Sequence, residues 1–292
     1  MKGRTFLKSF TLVSEEQEAL FMRDMKSTCY SSIYPYKLFS IKDFYDIEFA
    51  PITIFYGGNG CGKTTLLNVI AEKVKAKRMS PFNVSPFFQR YVDGCSYEGR
   101  VPSQSKVLSS DDVFDYLLNT RSLNMGIDTR REELFEEWLA LKDSGIRFDP
   151  LTSIEKYDEW LERYKSRKLS QSEYVRRKLG ANVDMYSNGE SAIRFWAEQI
   201  ESDALYLLDE PENSLSITKQ KELKSFLQDS AENFCCQFVI STHSPILLSI
   251  EGAKVYDIDS YPVECKKWTE LENVRSYYEF FREHSDEFTN NN

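Results

Sequence analysis

A surplus of positive charge is missing from this chain. Lys and Arg number 37 against 46 Asp and Glu, a formal net charge of −9. That balance favours solubility and argues against a surface that coats nucleic acid indiscriminately, leaving only a local basic patch open. Zinc-type spacing is missing too. Cys29, Cys61, Cys95, Cys235, Cys236 and Cys265 include no C-x-x-C pair and have no histidine at ligand spacing, so they read as reduced thiols. No charged-then-apolar leader opens the chain, and no apolar run approaches the roughly 20 residues needed to cross a bilayer. The expectation is a cytoplasmic protein without membrane insertion. Repeats and low-complexity segments are absent apart from the terminal Asn run. What is present suffices for a core: 41% hydrophobic, 14% aromatic and 28% charged residues describe a globular chain, and 292 residues allow one large α/β domain with an elaboration or two small domains.

The stretch IKDFYDIEFAPITIFYG alternates apolar and polar residues and then becomes continuously apolar, which predicts an edge strand followed by a buried one. Helix follows at once. From Lys63, Leu66, Leu67, Ile70 and Val74 share one face at helical spacing, and Pro81 requires that the helix has already ended. Residues 80 to about 110 read as loops and short strands. From Asp111 to about Ala181 the chain is dense in charge with apolar residues at helical intervals, which predicts a helical insertion whose charges form a solvated face. Gly145, Pro150 and Thr152 break its heptad-like runs, so it is too short for a long coiled-coil arm. A second α/β block follows: a turn at YSNGES, helix through Ala197, the strand ALYLLDE, the helix KQKELKSFLQDSAE, and the strands CQFVIST and AKVYDID. This order predicts parallel strands joined by crossover helices.

The segment Gly57, Gly58, Asn59, Gly60, Cys61, Gly62, Lys63, Thr64 satisfies G-x-x-x-x-G-K-[ST] between a predicted strand and a predicted helix. Its glycines let backbone N–H groups turn inward around phosphates, and the helix N-terminus adds partial positive charge. Lys63 reaches the β- and γ-phosphates and the Thr64 hydroxyl ligates Mg2+, while Thr65 belongs to the same ATP-binding segment and serves packing. The strand ALYLLDEPE ends in two acids where parallel strands leave a sheet and ligand sites form. Asp209 would hold the magnesium shell and Glu210 would polarise the attacking water. Histidine is scarce, with only His243 and His284 present. At the end of CQFVIST, a neutral His243 imidazole can bond the γ-phosphate or the water. Ser187 with Glu190 three residues later is an ordinary capping box. A helix N-terminus headed by Ser187, Asn188 and Gly189 is also an anion site, and because the P-loop already holds the phosphates of its own chain, this second site invites the nucleotide of another protomer.

GGNGCGKT, YSNGES, LLDEPENSLS and STHSP, in this order and spacing, resemble the Walker A, signature, Walker B with D-loop, and H-loop motifs of the ABC ATPase superfamily, over about Ile52 to Pro245. The E-P-E-N after Walker B, the S-N-G-E signature and the short insertion are similar to the stand-alone bacterial ATPases of the RecF and SMC branch, AAA_21-like, more than to transporter subunits. The resemblance implies a P-loop NTPase fold of α/β class, an ABC-ATPase-like sheet with flanking helices, antiparallel N-terminal strands and the helical insertion, in one domain over residues 1–292. It implies ATP and Mg2+ as ligands, Lys63 and Thr64 on phosphate and metal, Asp209 and Glu210 on metal and water, His243 on the γ-phosphate, and Ser187, Asn188, Gly189 and Glu190 acting in trans. Tyr186 and Asn188 replace the Leu and Gly of the transporter-type signature, and Ser216 replaces the D-loop Asp. These departures weigh against transporter coupling. For the Q-loop, Gln89, Gln104, or Ser110 with Asp111 are candidates; for adenine stacking, Tyr30, Tyr34, Tyr36 and Tyr45 remain open.

The leading functional expectation is an ATP-driven clamp or switch: a homodimer sandwiches nucleotide, closes on ATP and opens after hydrolysis. By analogy such relatives serve DNA maintenance or phage defence with an effector or nuclease partner, and nucleic-acid binding stays open. The alternatives are an energy-coupling subunit of a membrane transporter, and a nucleotide-gated assembly module with little turnover, against which Glu210 speaks. Cys61, near a helix N-terminus, is either a small residue in a small slot or a redox-sensitive thiol with a lowered pKa.

Overall fold

A computed structural model describes residues 3–24, 32–143, 161, 164–166, 168–183 and 187–289. The chain divides into two compact units, one of residues 1–114 and 188–292, the other of residues 115–187.

The larger unit is built around strand β3 (Ile52–Tyr56), all five of whose residues are buried. A strand covered on both faces is expected to be mostly apolar, and this one lies between two parallel neighbours. Counting strands in chain order, β1 (Leu7–Thr11), β2 (Asp46–Glu48), β4 (Lys77–Arg78), β5 (Ser96–Gly99), β6 (Lys106–Ser109), β7 (Leu205–Asp209), β8 (Gln237–Ser241), β9 (Lys254–Asp257) and β10 (Glu264–Cys265) complete the set among the described residues. The main sheet runs β10-β9-β3-β8-β7-β6-β4, parallel except where β10 pairs antiparallel with β9. The sequence expectation of an α/β sheet with crossover helices holds. So does that of antiparallel N-terminal strands: β2-β1-β5 form a separate three-stranded sheet, antiparallel at both pairings.

Helix α1 (Glu15–Asp24) follows β1, and helix α2 (Lys63–Val74) follows the P-loop and buries Leu66, Leu67, Val69, Ile70, Ala71 and Val74 against the core shared with Phe55, Leu205, Leu207 and Val239. Each large aliphatic or aromatic side chain so buried contributes about 1.5–3 kcal/mol. Gln237, fully buried at the start of β8, joins the two sheets. Its Oε1 accepts the Phe6 and Leu7 N–H groups at 2.8 Å each, and its Nε2 donates to the Leu7 and Ala50 carbonyls at 2.8 and 3.2 Å. All four hydrogen-bonding positions of the amide are thus used. Between Pro81 and Gly99, where loops and short strands were expected, the chain also forms helix α3 (Phe88–Gly94), whose Phe88, Tyr91 and Val92 are buried.

Helix α4 (Ser110–Asp143) opens the insertion as one continuous run of 34 residues. The smaller unit has its own core of Leu134, Tyr174 and Val175, with Phe135, Trp138, Leu141, Leu169 and Leu179 against it. Helix α5 (Gln171–Lys178) starts at Ser170, whose hydroxyl accepts the Glu173 N–H while the Glu173 carboxylate accepts the Ser170 N–H, a reciprocal cap. Asn124, buried in α4, exchanges two hydrogen bonds of 2.9 Å with the Val183 backbone. The breaks expected at Gly145, Pro150 and Thr152 lie outside the described residues.

After the insertion come α6 (Asn188–Gln199), α7 (Ile217–Asn233), α8 (Pro245–Leu248), α9 (Glu272–Glu283) and α10 (Ser285–Thr289). Among the described residues, no helix is long and apolar enough to cross a membrane.

Candidate active site

Three strand ends and one loop meet at the carboxyl edge of the main sheet. Register places Asp209, the last residue of β7, beside Ser109 of β6 on one side and Ser241 of β8 on the other. The Thr64 hydroxyl, one residue into α2, donates to Asp209 Oδ1 at 3.2 Å, and the Ser241 hydroxyl donates to the same oxygen. Burial pushes the Asp209 carboxyl above the ordinary carboxylate range, only partly offset by the hydrogen bonds from Ser241 and Thr64. A half-buried acid with hard oxygen neighbours and residual negative charge suits a small divalent cation. Among the described residues no three His, Cys, Asp or Glu side chains converge to hold a metal by themselves. Mg2+ fits such a sparse site, because it is held by one or two protein oxygens together with substrate phosphates.

Glu210 adopts a left-handed backbone conformation, φ 47°, which lifts it out of the strand direction. Its N–H is held by the Ser241 carbonyl at 3.0 Å and hydroxyl at 3.2 Å. Glu210 Oε1 lies 3.7 Å from Lys63 Nζ and 3.8 Å from His243 Nδ1, and Oε2 accepts from Asn213 Nδ2 at 3.0 Å. Lys63 is only 4% exposed and donates to the Gly57 and Gly58 carbonyls at 2.8 and 3.0 Å. The P-loop therefore holds its lysine within reach of the acid that follows Asp209.

His243 presents an imidazole that is 45% exposed, while its backbone N–H is bonded to Glu212 Oε1 at 3.1 Å. Glu212 is the surprise of this region. It is 5% exposed, takes the Thr242 hydroxyl on Oε1, and its Oε2 finds no partner among the described residues. Burial raises its pKa above the usual carboxylate value. The sequence shows this acid as the second Glu of E-P-E-N, but only the fold reveals that it turns inward to hold the His243 backbone.

In the P-loop, Gly57 is buried, Gly58, Cys61 and Gly62 are half-buried, and Asn59 and Gly60 are exposed. Gly62 has φ 108°, and a Cβ there would stand 3.1 Å from Leu38 and 3.3 Å from Phe39, so the position needs glycine twice over. Thr65 is buried and accepts a hydrogen bond from the Tyr34 hydroxyl at 2.8 Å, in keeping with packing. Burial raises the Cys61 thiol pKa, against the lowering that a redox-sensitive thiol needs, so Cys61 reads as a small residue filling a slot.

The signature residues sit at a helix start, with Ser187 exposed immediately before α6 and Asn188, Gly189 and Glu190 forming its first turn. Tyr186 lies outside the described residues. Ser216, in place of the D-loop Asp, caps α7 by accepting the Lys219 N–H, a task either residue type performs. Of the Q-loop candidates, Gln104 donates to the Asp203 carbonyl just before β7, at the opposite end of the sheet from Asp209. Gln89 is engaged with Asp93 on α3. Ser110, immediately after β6, accepts from Asn213 Nδ2 at 3.4 Å and is the candidate that shares a partner with Glu210. Tyr36 is stacked on Phe21 with centroids 4.0 Å apart and is buried, which removes it from adenine stacking. Tyr30 lies outside the described residues. Sequence reasoning missed Ser241, Asn213, Lys42 and Asp259. Ser241 could have been found as the residue two before His243 at the end of a buried strand, and Asn213 as the last residue of E-P-E-N; Lys42 and Asp259 carry no pattern.

Residues 150–249 match the family model described as "AAA domain, putative AbiEii toxin, Type IV TA system". No curated protein is matched by the chain. Among solved structures it is similar to the SMC head domain from Thermotoga maritima at 13% identity, covering 90% of this chain and 99% of that one with a TM-score of 0.41. It is also similar to the Smc head domain with an extended coiled coil bound to the C-terminal domain of ScpA, from Pyrococcus furiosus, at 14% identity, covering 81% and 95%, with a TM-score of 0.39. The family match falls on the part of the chain that supplies the acidic pair and His243, while the parallel sheet brings the phosphate loop of the other part against them. Motif order, the parallel sheet and the family match over residues 150–249 agree with the resemblance to ABC-like P-loop ATPase domains read from the sequence.

Proposed function

We propose that the chain binds ATP with Mg2+ and hydrolyses it in an ATP-sandwiched homodimer that acts as a molecular clamp or switch, in the DNA-maintenance or phage-defence setting that the resemblance implies. The observation that carries this reading is the convergence of Lys63, Thr64, Asp209, Glu210 and His243 at one strand edge.

The inward N–H groups of the P-loop and the N-terminus of α2 bind the β- and γ-phosphates, and Lys63 exchanges its two loop carbonyls for phosphate oxygens. Thr64 and Asp209 would hold Mg2+, which when bound neutralises charge on the β- and γ-phosphate oxygens. Glu210, steadied by Asn213, accepts a proton from the attacking water and aligns it with the γ-phosphorus. His243 would bond the γ-phosphate and so report whether it is present. Ser187 and Gly189, at the start of α6, close over the nucleotide of the partner protomer. Closing excludes water and commits the substrate, and reopening after hydrolysis is the output passed to a partner protein.

The test is solution mass by light scattering for wild type, Glu210→Gln and Glu210→Gln with Ser187→Arg, with and without Mg-ATP. Glu210→Gln should convert from monomer to dimer on ATP, and Ser187→Arg should abolish the conversion. Phosphate release by wild type should exceed that of Glu210→Gln by about 10²- to 10⁴-fold, the usual worth of a positioned general base. A mass indifferent to ATP in every variant removes the sandwich, and phosphate release equal in wild type and Glu210→Gln removes the hydrolysis.

A further inference from the structure

Two side chains outside the motifs grip the P-loop from its outer side. Lys42 Nζ donates to the Cys61 carbonyl at 3.0 Å and to the Ile258 carbonyl at 2.8 Å. Lys42 closes the short 3-10 turn Ser40–Lys42, pinned by Phe39 and Phe44, which are both buried. Its own carbonyl accepts the Val263 N–H at 3.1 Å. Leu38 and Phe39 of the same segment are the groups that a Cβ on Gly62 would strike, so this turn lies directly against the loop. On the other limb, Asp259 Oδ2 accepts the Gly58 N–H at 2.6 Å. The Asp259 N–H is held by Asp257 Oδ1 at 3.1 Å, and Asp257 Oδ2 is paired with Lys266 at 2.7 Å.

A trans peptide directs its C=O and its N–H to opposite sides, so holding one fixes the other. The peptide joining Gly57 to Gly58 gives its N–H to Asp259 and its carbonyl to Lys63 Nζ, and both ends are seen. The peptide joining Cys61 to Gly62 gives its carbonyl to Lys42, which turns the Gly62 N–H away from Lys42. A glycine-rich loop has few side chains to set its peptide planes, and glycine has more backbone freedom to lose than any other residue. Phosphate binding by such a loop depends on N–H groups aimed in advance, since any reorientation on binding subtracts from affinity.

We propose that Lys42 is a positioning residue for the phosphate site: its ammonium clamps the Cys61 carbonyl and thereby aims the Gly62 N–H at the nucleotide phosphates. Asp259 fixes the plane of the Gly57–Gly58 peptide from its other end by taking the Gly58 N–H, so that the Gly57 carbonyl faces and seats Lys63. The inference rests on the ATP-binding reading above. Lys42 stands outside every motif, and its role is in ground-state binding rather than in chemistry.

The experiment is equilibrium titration with a fluorescent ATP analogue of wild type, Lys63→Met, Lys42→Met, Lys42→Gln and Lys42→Arg, alongside nucleotide-free melting temperatures and ATPase kinetics. Lys42→Met should weaken binding about tenfold and raise KM in step, with kcat changed less than about twofold and melting nearly unmoved. Lys42→Arg, which keeps a cationic donor of similar reach, should recover most of the loss. If Lys42→Met melts early, Lys42→Gln decides, being too short to span both carbonyls: weakened binding supports the clamp and wild-type binding overturns it. Loss of binding in Lys63→Met with none in the Lys42 variants leaves a nucleotide site and ends the proposal. Undiminished binding in Lys63→Met removes the ATP-binding reading itself, and the proposal with it.

Discussion

The Thr64 hydroxyl donates to Asp209 Oδ1 at 3.2 Å, although 145 positions separate the two residues along the chain. A helix start and a strand end meet there only because β3 and β7 flank β8 in one parallel sheet. Both oxygens are hard donors of the kind Mg2+ takes, and the Asp209 carboxyl is half-buried. Asp209→Asn keeps the acceptor and removes the charge. The Mg2+ concentration giving half-maximal ATPase activity should rise at least about tenfold, because a charged oxygen that would hold the metal is lost. The nucleotide-free protein should melt no lower than wild type, because the neutral amide carries no desolvation penalty. Steady-state rates across a Mg2+ titration and a thermal scan check both.

Asn213 offers a separate test of how Glu210 is held. Its amide donates to Glu210 Oε2 and lies 3.4 Å from the Ser110 hydroxyl. Asn213→Ala should lower kcat about tenfold with KM little changed, since a freed carboxylate spends less time aligned with the water. Asn213→Asp should cost more, because a second carboxylate beside Glu210 replaces attraction with repulsion. A parallel rise in KM for the alanine variant would place Asn213 in binding instead.

Glu212 gives a pH signature. Burial raises its folded-state pKa above the ordinary 4.5, so its contribution to stability is fully present below that value and is lost as pH rises through the raised one. Glu212→Gln, which cannot ionise and keeps an oxygen for Thr242 and the His243 N–H, should melt at or above wild type at pH 8. The advantage should shrink steadily toward pH 4. Thermal scans across that range decide the matter, and a variant that loses stability most at pH 8 refutes the assignment.

Gln237 predicts a structural loss without a chemical one. Replacing it by Leu strips partners from the Phe6 and Leu7 N–H groups and from the Leu7 and Ala50 carbonyls. Leaving such buried groups unsatisfied should cost about 2–4 kcal/mol and lower Tm by roughly 5–12 °C. ATP affinity measured below the transition should hold, because Gln237 lies at the end of β8 opposite Ser241.

The sequence by itself determined the parts that depend on local chemistry. A short, mostly apolar run next to turn residues fits a strand covered on both faces, and β3, β7 and β8 are such strands. G-x-x-x-x-G-K-[ST] between strand and helix has one well-known geometry, so Lys63 and Thr64 were legible, and so were Asp209 and Glu210 at the end of an apolar strand. Helix α3 was not, because its seven residues amid Ser and Pro are stabilised by burying Phe88, Tyr91 and Val92 rather than by propensity. Nor were the sheet order and the partners that follow from it. Ser241 reaches Asp209, and Glu212 turns inward to His243, only because β7 and β8 are neighbours. Tyr36 looked free to stack on a base until the fold placed it against Phe21. Lys42 and Asp259 show the limit most clearly. Each is an ordinary surface charge in the sequence, and each touches the P-loop because β9 runs beside β3 and delivers Ile258 and Asp259 to its rim. Motif spacing encodes which groups can meet a phosphate; only tertiary packing decides which peptide planes are held ready for it.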